Sequence, residues 1–442
     1  MSDILQVVCG SVAGTLLAAA LFWVPALHVY NVAALAFLGL GRMDGVYEAM
    51  PLLPVAGLTG LIIGFALFNT LPAILLAVPD ESAFFTVLPG QRALMRGRGY
   101  AAILSSSLGV MLGLLFLVLI AAPLAPWVLP AAARVLRPHL HWMVWAVICF
   151  MLLSEWPKGG TRGQGGWIKL GRAWRSLLAG LATFLLAGLL GFLLFYRSPL
   201  PVAASWQSMM PAFVGLFAVP WLLTNVIGRA VIPPQTLVVD RLSVVTWLRG
   251  GAAGAMGGAF AAFMPAVTGG VGGMLAGHAT SQRDPREFLV AQGACKLVYY
   301  AGALLLFLVP GLHLTRGGGA WLLRVRYAAH GFHDYFAVLA AAGISGALGL
   351  WILPPVARLA VRMLAGRQCR GVSWCCLLLV TGLVGALTGW AGLLVMATAS
   401  GIGLIPVLFH SRRMNCLGII LLPIACRMSG CGHVLAAWLR LV

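Results

Sequence analysis

The chain has 442 residues, of which 61% are hydrophobic and only 9% charged, with 29 Lys and Arg against 10 Asp and Glu. Soluble domains carry about 25% charged residues, so these side chains cannot wet a globular surface, and the composition argues against a soluble enzyme. The formal net charge of +19 invites comparison with nucleic-acid binders, but no nucleic-acid partner is expected, because the basic residues sit in short loops between apolar runs.

Those loops carry Arg92, Arg96 and Arg98; Lys158, Arg162, Lys169, Arg172 and Arg175; Arg358, Arg362, Arg367 and Arg370; and Arg412 with Arg413. Cytoplasmic loops of multi-pass proteins accumulate Lys and Arg, and counting spans places all four on one side. Arg316, Arg324 and Arg326 lie one span from Arg358 and fall outside by the same count, an exception without a sequence-level explanation. A membrane helix needs about 20 apolar residues, and such runs recur, for example over 101–122, 176–196, 297–312 and 374–390. At least eight spans can be drawn. The expectation is an all-α polytopic membrane protein with about 10–12 transmembrane or re-entrant helices. Residues 1–6 lack the basic start of a secretory signal, and no small-residue cleavage site follows, so the first apolar run is expected to be retained.

That first run ends in a break. Residues 14–25 read GTLLAAALFWVP, and residues 254–265 read GAMGGAFAAFMP, so a Gly-to-Pro spacing of 11 recurs at an offset of 240. With the seam in the polar stretch 229–249, the chain divides into halves 1–240 and 241–442, expected to be inverted repeats. Proline removes a helical hydrogen bond and clashes with the preceding turn. After Pro25 come His28, Tyr30 and Asn31; after Pro265 come Thr268, Gly269, Gly270, Gly272 and Gly273. Irregular backbone at membrane depth is tolerated only where protein buries it or it lines a cavity. Paired Gly/Pro-interrupted segments in corresponding positions point to a transporter binding site. Basic stretches on both flanks of the second copy fit a re-entrant segment, and two ordinary kinked helices are the alternative.

A third interruption is expected at Phe68-Asn69-Thr70-Leu71-Pro72, leading to Val78-Pro79-Asp80-Glu81-Ser82. Carboxylates at membrane depth are expensive and tend to be functional. Either Asp80 and Glu81 cap a helix at the interface, or Asp80 binds a coupling cation or carries a proton. His28 titrates near neutrality, which suits a proton carrier or a hydrogen bond to a neighbouring helix. His330, His333 and Asp334 have metal-like residue types but read better as an interfacial belt with Phe332, Tyr335 and Phe336. The nine cysteines show no paired CxxC pattern of the kind a zinc site needs. Cys426, Cys431 and His433 form a weak metal-type cluster. No nucleotide-binding loop is present, so direct ATP drive is not expected.

Residues 78–103 read VPDESAFFTVLPGQRALMRGRGYAAI. With Pro79-Asp80-Glu81, Leu88-Pro89-Gly90 and Arg98-Gly99-Tyr100, this stretch resembles the large membrane subunit of tripartite tricarboxylate transporters, best in a divergent, archaeal-type branch. Arg286-Glu287-Phe288-Leu289-Val290 with Gln292-Gly293 is similar to the family's second-half motif. Residues 401–423, with Gly403-Leu404-Ile405-Pro406 and Arg412-Arg413, look like its C-terminal end. There are departures: Pro25-Ala26 and Pro265-Ala266 stand where the family has Pro-Gly, and Cys295-Lys296 replaces polar positions. The resemblance implies an ion-driven permease of a prokaryotic plasma membrane, not an enzyme, moving a small carboxylate. In its better-known branch a small membrane subunit and an extracytoplasmic binding protein assist. On this basis Pro25, His28, Asn31, Asn69, Thr70, Pro265, Thr268 and Gly269 are expected to line the anion site. Asp80 and Ser82 are expected at the coupling ion, Na+ or H+, with no other cofactor and membrane lipid as surroundings. A polyprenyl-phosphate or other lipid-carrier translocase is the alternative, since half-helix N-termini also suit a phosphate.

Overall fold

The computed structural model describes residues 1–442 except 25, 26, 41–44, 46–48, 79, 83, 157–164, 202, 203, 205, 206, 229, 240 and 328–330. Pro25, Pro79 and His330 thus lie outside the described residues. Among those described, the only bridge-type pairing is an isolated antiparallel one between Val231 and Gln368, and the remaining regular structure is helical. In chain order the main helices are α1 (Asp3–Leu21), α2 (Val29–Leu40), α3 (Leu52–Phe68), α4 (Thr70–Leu75), α5 (Phe84–Met95), α6 (Gly99–Phe116), α7 (Ala122–Leu136), α8 (Leu140–Leu153) and α9 (Gly166–Tyr196). They continue with α10 (Val219–Ile227), α11 (Val244–Phe263), α12 (Gly269–Ala279), α13 (Pro285–Leu308), α14 (Gly317–Arg326), α15 (Phe332–Leu364), α16 (Cys369–Phe409), α17 (Gly418–Met428) and α18 (Gly432–Trp438).

Eight described stretches are long and apolar enough to cross a bilayer, or nine if the bent pair at the C-terminus counts as one. Two exceed a single crossing. Gly99–Leu153 runs 55 residues and Cys369–Phe409 runs 41, the latter interrupted at Gly389 with φ 66° and ψ −162°. The chain forms two compact units: residues 1–135 with 225–373, and residues 136–224 with 374–442.

In the first unit, two pairs of long helices pack through glycine. On α1, Gly10 faces the Leu53 carbonyl and Gly14 that of Gly57 on α3; Gly60 and Gly64 return the contact to Ser11 and Ala18. On α11, Gly250, Gly254 and Gly258 face the carbonyls of Glu287, Ala291 and Cys295 on α13. A Cβ at these positions would meet backbone, and small residues four apart are how membrane helices approach closely. Numbering rises together within each pair, so α1 runs parallel to α3 and α11 parallel to α13. Parallel neighbours joined by a short connection require the chain to double back. It does so after Leu21 and again after Phe263, the second time through α12, whose 11 residues rise about 16 Å, half a bilayer.

Between the two pairs the direction reverses. The Phe65 ring on α3 meets the Tyr300 ring at 5.8 Å, and Thr70 on α4 meets Lys296 at 3.1 Å. Numbering rises on one helix as it falls on the other, so α3–α4 and α13 are antiparallel. Each pair is covered by helices from the opposite half. On α15, Ala341 packs with Val7, Leu52 and Ala56 and Gly349 sits on Leu67. On α6, Gly109 sits on the Val290 carbonyl and Leu112 on Gly251.

Local sequence explains the helix ends. Ser2 and Ser243 cap α1 and α11, accepting from the Leu5 and Thr246 amides. Asp284 caps α13 ahead of Pro285, and hydrogen bonds from Arg286 hold its carboxyl below the usual carboxylate range. Arg316 donates to the Phe263 carbonyl at the end of α11 (3.1 Å), which gives a structural role to one of the arginines that the loop count left over. The interruption expected at 68–72 is slight: α3 gives way to α4 at Asn69 without a change of backbone region. Asn69 keeps helical backbone (φ −64°, ψ −11°), and Pro72 falls in the first turn of α4, where a missing N–H is harmless. The helix ends instead after Leu75, and Ala77 adopts φ 57°. His333 lies 3.3 Å from Asp334 and 3.4 Å from Asp3. Phe332 and Phe336 beside it are exposed.

The second unit packs α9 on α17, with Gly188 on Leu422, Gly191 on Ile419 and Gly418 on Phe184. Its polar centre is Glu155. One carboxylate oxygen accepts from the Arg412 amide and the Asn415 side chain, both at 2.8 Å, and the other from Ser176 at 3.2 Å. Arg413 lies over the Trp221 ring at 3.7 Å. Cys431 donates to the Cys426 carbonyl, and His433 stands edge-on to Tyr196; these three residues form no metal-ligand set.

Candidate functional site

The two reversals meet in the first unit, where a cluster of ionisable side chains forms around the buried Tyr300, with Glu81 buried and His28 and Asp80 half-buried. His28 begins it. Its Nδ1 accepts from the Tyr30 amide at 3.2 Å and its carbonyl from the Asn31 amide at 3.0 Å, so His28 caps α2 with both ring and backbone. A backbone amide can only donate, so Nδ1 is the acceptor and Nε2 carries a proton. That Nε2 lies 3.0 Å from Glu81 Oε1 and 3.2 Å from the Tyr300 hydroxyl.

Residues 76–82, just beyond the end of α4, supply the acids. Asp80 Oδ1 accepts from the Ser82 amide (3.1 Å) and hydroxyl (2.8 Å), a local turn that fixes the carboxylate. Both bonds go to Ser82 and not to an amide of α5, which begins at Phe84, and the other carboxylate oxygen remains turned to the cluster. Tyr300 lies within 3.0 Å of both Asp80 Oδ2 and Glu81 Oε1. One phenol proton serves two carboxylates, which keeps them from standing bare beside each other. Phe65 and Tyr30 pack their rings around Tyr300 at 5.8 and 6.0 Å.

The second break supplies the other wall. Thr268 precedes α12 and donates its hydroxyl to the Glu81 carbonyl (3.0 Å), so the amides opening α12 have no side-chain cap. Gly269 fits against the Tyr299 ring and Gly270 against Phe84, where a Cβ would collide. Cys295 donates to the Gly269 carbonyl at 3.0 Å. Ala266 holds φ 59° beside Pro265, a non-glycine residue in a conformation that is uncommon and worth notice. Below the cluster, Lys296 donates to Thr70 at 3.1 Å, both residues fully buried. The Asn69 Nδ2 and both amide atoms of Gln292 are buried without a partner.

Of the residues expected to line the site, His28, Thr70, Asp80, Ser82, Thr268 and Gly269 come together here. Asn69 lies beside Thr70 and lines a small cavity with Leu27, Phe65 and Pro72. Asn31 is one turn into α2, Pro265 lies within the second reversal, and Pro25 is outside the described residues. Glu81, Lys296 and Tyr300 complete the cluster and were not among the expected lining. Their signal was present: Gln292, Lys296 and Tyr300 are four apart in an apolar run, a polar stripe on one helix face. His28, Asp80 and Glu81 are also the one group among the described residues whose ligand atoms, all within 4.8 Å of one another, could hold a cation.

No solved structure matches the chain. Over 433 residues it is 24% identical to an uncharacterized protein of Methanocaldococcus jannaschii, an alignment covering 95% of this chain and 96% of that one. Residues 4–418 match the profile of the Tripartite tricarboxylate transporter TctA family. The match spans both breaks, the acidic turn and the polar face of α13, so the chain belongs to the TctA family and is a multi-pass membrane transporter of prokaryotic type.

Proposed function

We propose that this chain is a secondary active permease for a small organic anion of the di- or tricarboxylate kind, driven by an ion gradient. The halves 1–240 and 241–442 are taken as inverted repeats that rock around a fixed site. The observation that carries the reading is the meeting of two reversals, on antiparallel helix pairs, at one largely enclosed polar cluster. Each compact unit also draws one segment from each side of position 224, as two interleaved repeats would.

The chemistry suits a carboxylate. The uncapped amides opening α12, the unpartnered Asn69 and Gln292 amides, and Lys296 are donors, and a helix N-terminus favours an anion. Asp80 and Glu81 oppose one. Two like charges about 4 Å apart repel by about 4 kcal/mol at an effective dielectric near 20, so the anion binds well only when these acids are neutralised. Neutralisation by a cation or proton, with Asp80 and Ser82 as its first contacts, is the coupling step. By analogy with the family's tripartite systems, a small membrane subunit and an extracytoplasmic binding protein are the proposed partners.

The test is thermal stability of the purified protein with citrate, succinate, tartrate or a short-chain polyprenyl phosphate. A ligand that binds only the native state raises the melting temperature by mass action. Stabilisation by a carboxylate, lost in Asp80→Asn together with ion-driven uptake, is the expected result. Stabilisation by the polyprenyl phosphate alone, or carboxylate uptake unchanged in Asp80→Asn, overturns it.

A further inference from the structure

The second unit holds a cavity of about 580 Å³ that the anion site does not use. Lys169, Arg172 and Arg175 line it from the start of α9, Phe409 and His410 from the end of α16, and Trp156 from beyond α8. Among the described residues no Asp or Glu lines it, so three fixed positive charges share one space. Its walls are set by local contacts. Arg175 lies over the Phe409 ring at 5.2 Å, and His410 ends α16 with φ 57°. Glu155 is buried behind Ser176, which donates to it at 3.2 Å, while its other oxygen takes the Arg412 amide and the Asn415 side chain.

The depth of this cavity in the bilayer follows from α9. That helix has 31 residues, whereas about 20 cross the hydrocarbon. Residues 177–196 carry no charged side chain and supply that length, which leaves 166–176 in the headgroup layer. Trp167 and Trp174 on this stretch are exposed, as tryptophans at a membrane interface are. The clustered Lys and Arg put this end on the cytoplasmic side, where anionic lipids concentrate. Leu170, itself in the lining, begins an exposed apolar stripe that continues at helical spacing through Trp174, Leu178 and Leu181. A charged cavity and an apolar track thus start from the same turn of one helix.

We propose that this cavity binds the headgroup of an anionic phospholipid of the cytoplasmic leaflet, its phosphate among Lys169, Arg172 and Arg175 and an acyl chain along the α9 stripe. Guanidinium forks meet phosphate oxygens two at a time, and the ammonium adds a point charge. Basic pockets between transmembrane helices on the cytoplasmic side suit such headgroups. Inorganic phosphate offers the same oxygens but no chain for the stripe, so the lipid is the better occupant. The site lies wholly within the second unit, and it stands or falls independently of the permease reading.

The experiment compares melting temperatures of the full chain in detergent with added phosphatidylglycerol, phosphatidylcholine or inorganic phosphate at equal concentration. Phosphatidylglycerol is expected to raise the wild-type value by about 2 °C or more, the size that a large excess over the dissociation constant produces. The other two additions are expected to raise it by much less. Lys169→Gln/Arg172→Gln/Arg175→Gln should lose the shift. Arg92→Gln/Arg96→Gln/Arg362→Gln, which removes the same charge from exposed positions of the first unit, should keep it. No shift with phosphatidylglycerol, or an equal one with phosphatidylcholine, overturns the proposal. An equal shift with inorganic phosphate overturns the lipid as occupant. A folded α9 variant that keeps the shift, or a first-unit variant that loses it as fully, overturns the location. Should the triple α9 variant fail to fold, Lys169→Gln alone decides. The shift is then expected to fall by half or more, and an unchanged shift overturns the site.

Discussion

Tyr300 is the residue on which the candidate site turns, because its hydroxyl stands between Asp80, Glu81 and His28 at 3.0 to 3.2 Å. Hydrogen bonds to charged groups contribute about 1.5–3 kcal/mol each, and without this one the two carboxylates face each other directly. Tyr300→Phe removes a single atom and keeps the ring against Phe65. It is expected to lower stability by about 2 kcal/mol, read as a fall in melting temperature. Glu81→Gln should relieve much of that loss in the double variant, because the repulsion it leaves has been removed, and a coupling of 0.5 kcal/mol or more is the mark of direct contact. Additive effects would mean the phenol does not bridge the acids. These residues also show what a sequence can disclose at this scale. Asp80 and His28 were legible because polar residues beside a proline or a break in an apolar run are conspicuous. Lys296 and Tyr300 lie inside an unbroken run, and only their four-residue spacing marks them. Glu81 was visible as half of a pair, but which carboxylate reaches His28 depends on the local bond between Asp80 and Ser82, which no periodicity encodes.

At the scale of helices, glycine sets the architecture. The run of Gly250, Gly254 and Gly258 reads in sequence as composition, and in the fold as the surface that lets α11 lie directly on α13. A Cβ at Gly254 would land on the Ala291 carbonyl. Neither helix can yield without moving the second reversal, so Gly254→Ala is expected to lose about 1–3 kcal/mol, the usual effect of overpacking. Gly343 on α15 has nothing within 4 Å of where a Cβ would sit. Since glycine is a poor helix former by up to about 1 kcal/mol relative to alanine, Gly343→Ala should be neutral or stabilising. Thermal melts of the two variants decide it: if Gly254→Ala loses no more than Gly343→Ala, close packing would have to be abandoned as the reason. The repeat at 14–25 and 254–265 was legible because a Pro follows a Gly at a fixed distance. The packing partners were not, because α3 and α13 are separated from α1 and α11 by the reversals whose course the sequence leaves open. At 68–72 the same reasoning gave a wide break where the chain passes from α3 to α4 through Asn69 alone, since a proline in the first turn of α4 lacks only a hydrogen bond that would not have formed.

For the whole molecule the deciding question is direction. Within the first unit α1 runs with α3, α11 runs with α13, and α3–α4 opposes α13 through Phe65 with Tyr300 and Thr70 with Lys296. It follows that the starts of α1 and α11, capped by Ser2 and Ser243, face opposite sides of a membrane if the unit is embedded as one body. Charge assigns the sides. Ser243 stands between Arg241 and Arg249, whereas the residues around Ser2 carry only Asp3, so the positive-inside tendency puts Ser243 in the cytoplasm and Ser2 outside. Both positions are exposed at helix ends, which makes them suitable for labelling. In a protein whose nine cysteines have been replaced, Ser2→Cys is expected to react with a membrane-impermeant maleimide on intact spheroplasts, and Ser243→Cys only in inside-out vesicles. Reaction of both from one side would mean that the two halves share an orientation. The antiparallel crossing at Thr70 and Lys296 would then have to arise without inversion, and rocking of inverted repeats would no longer describe this carrier. Opposite reactivity would leave the acids, the phenol and the ammonium at the pivot between two oppositely directed halves, the position from which a single site can be offered to each side in turn.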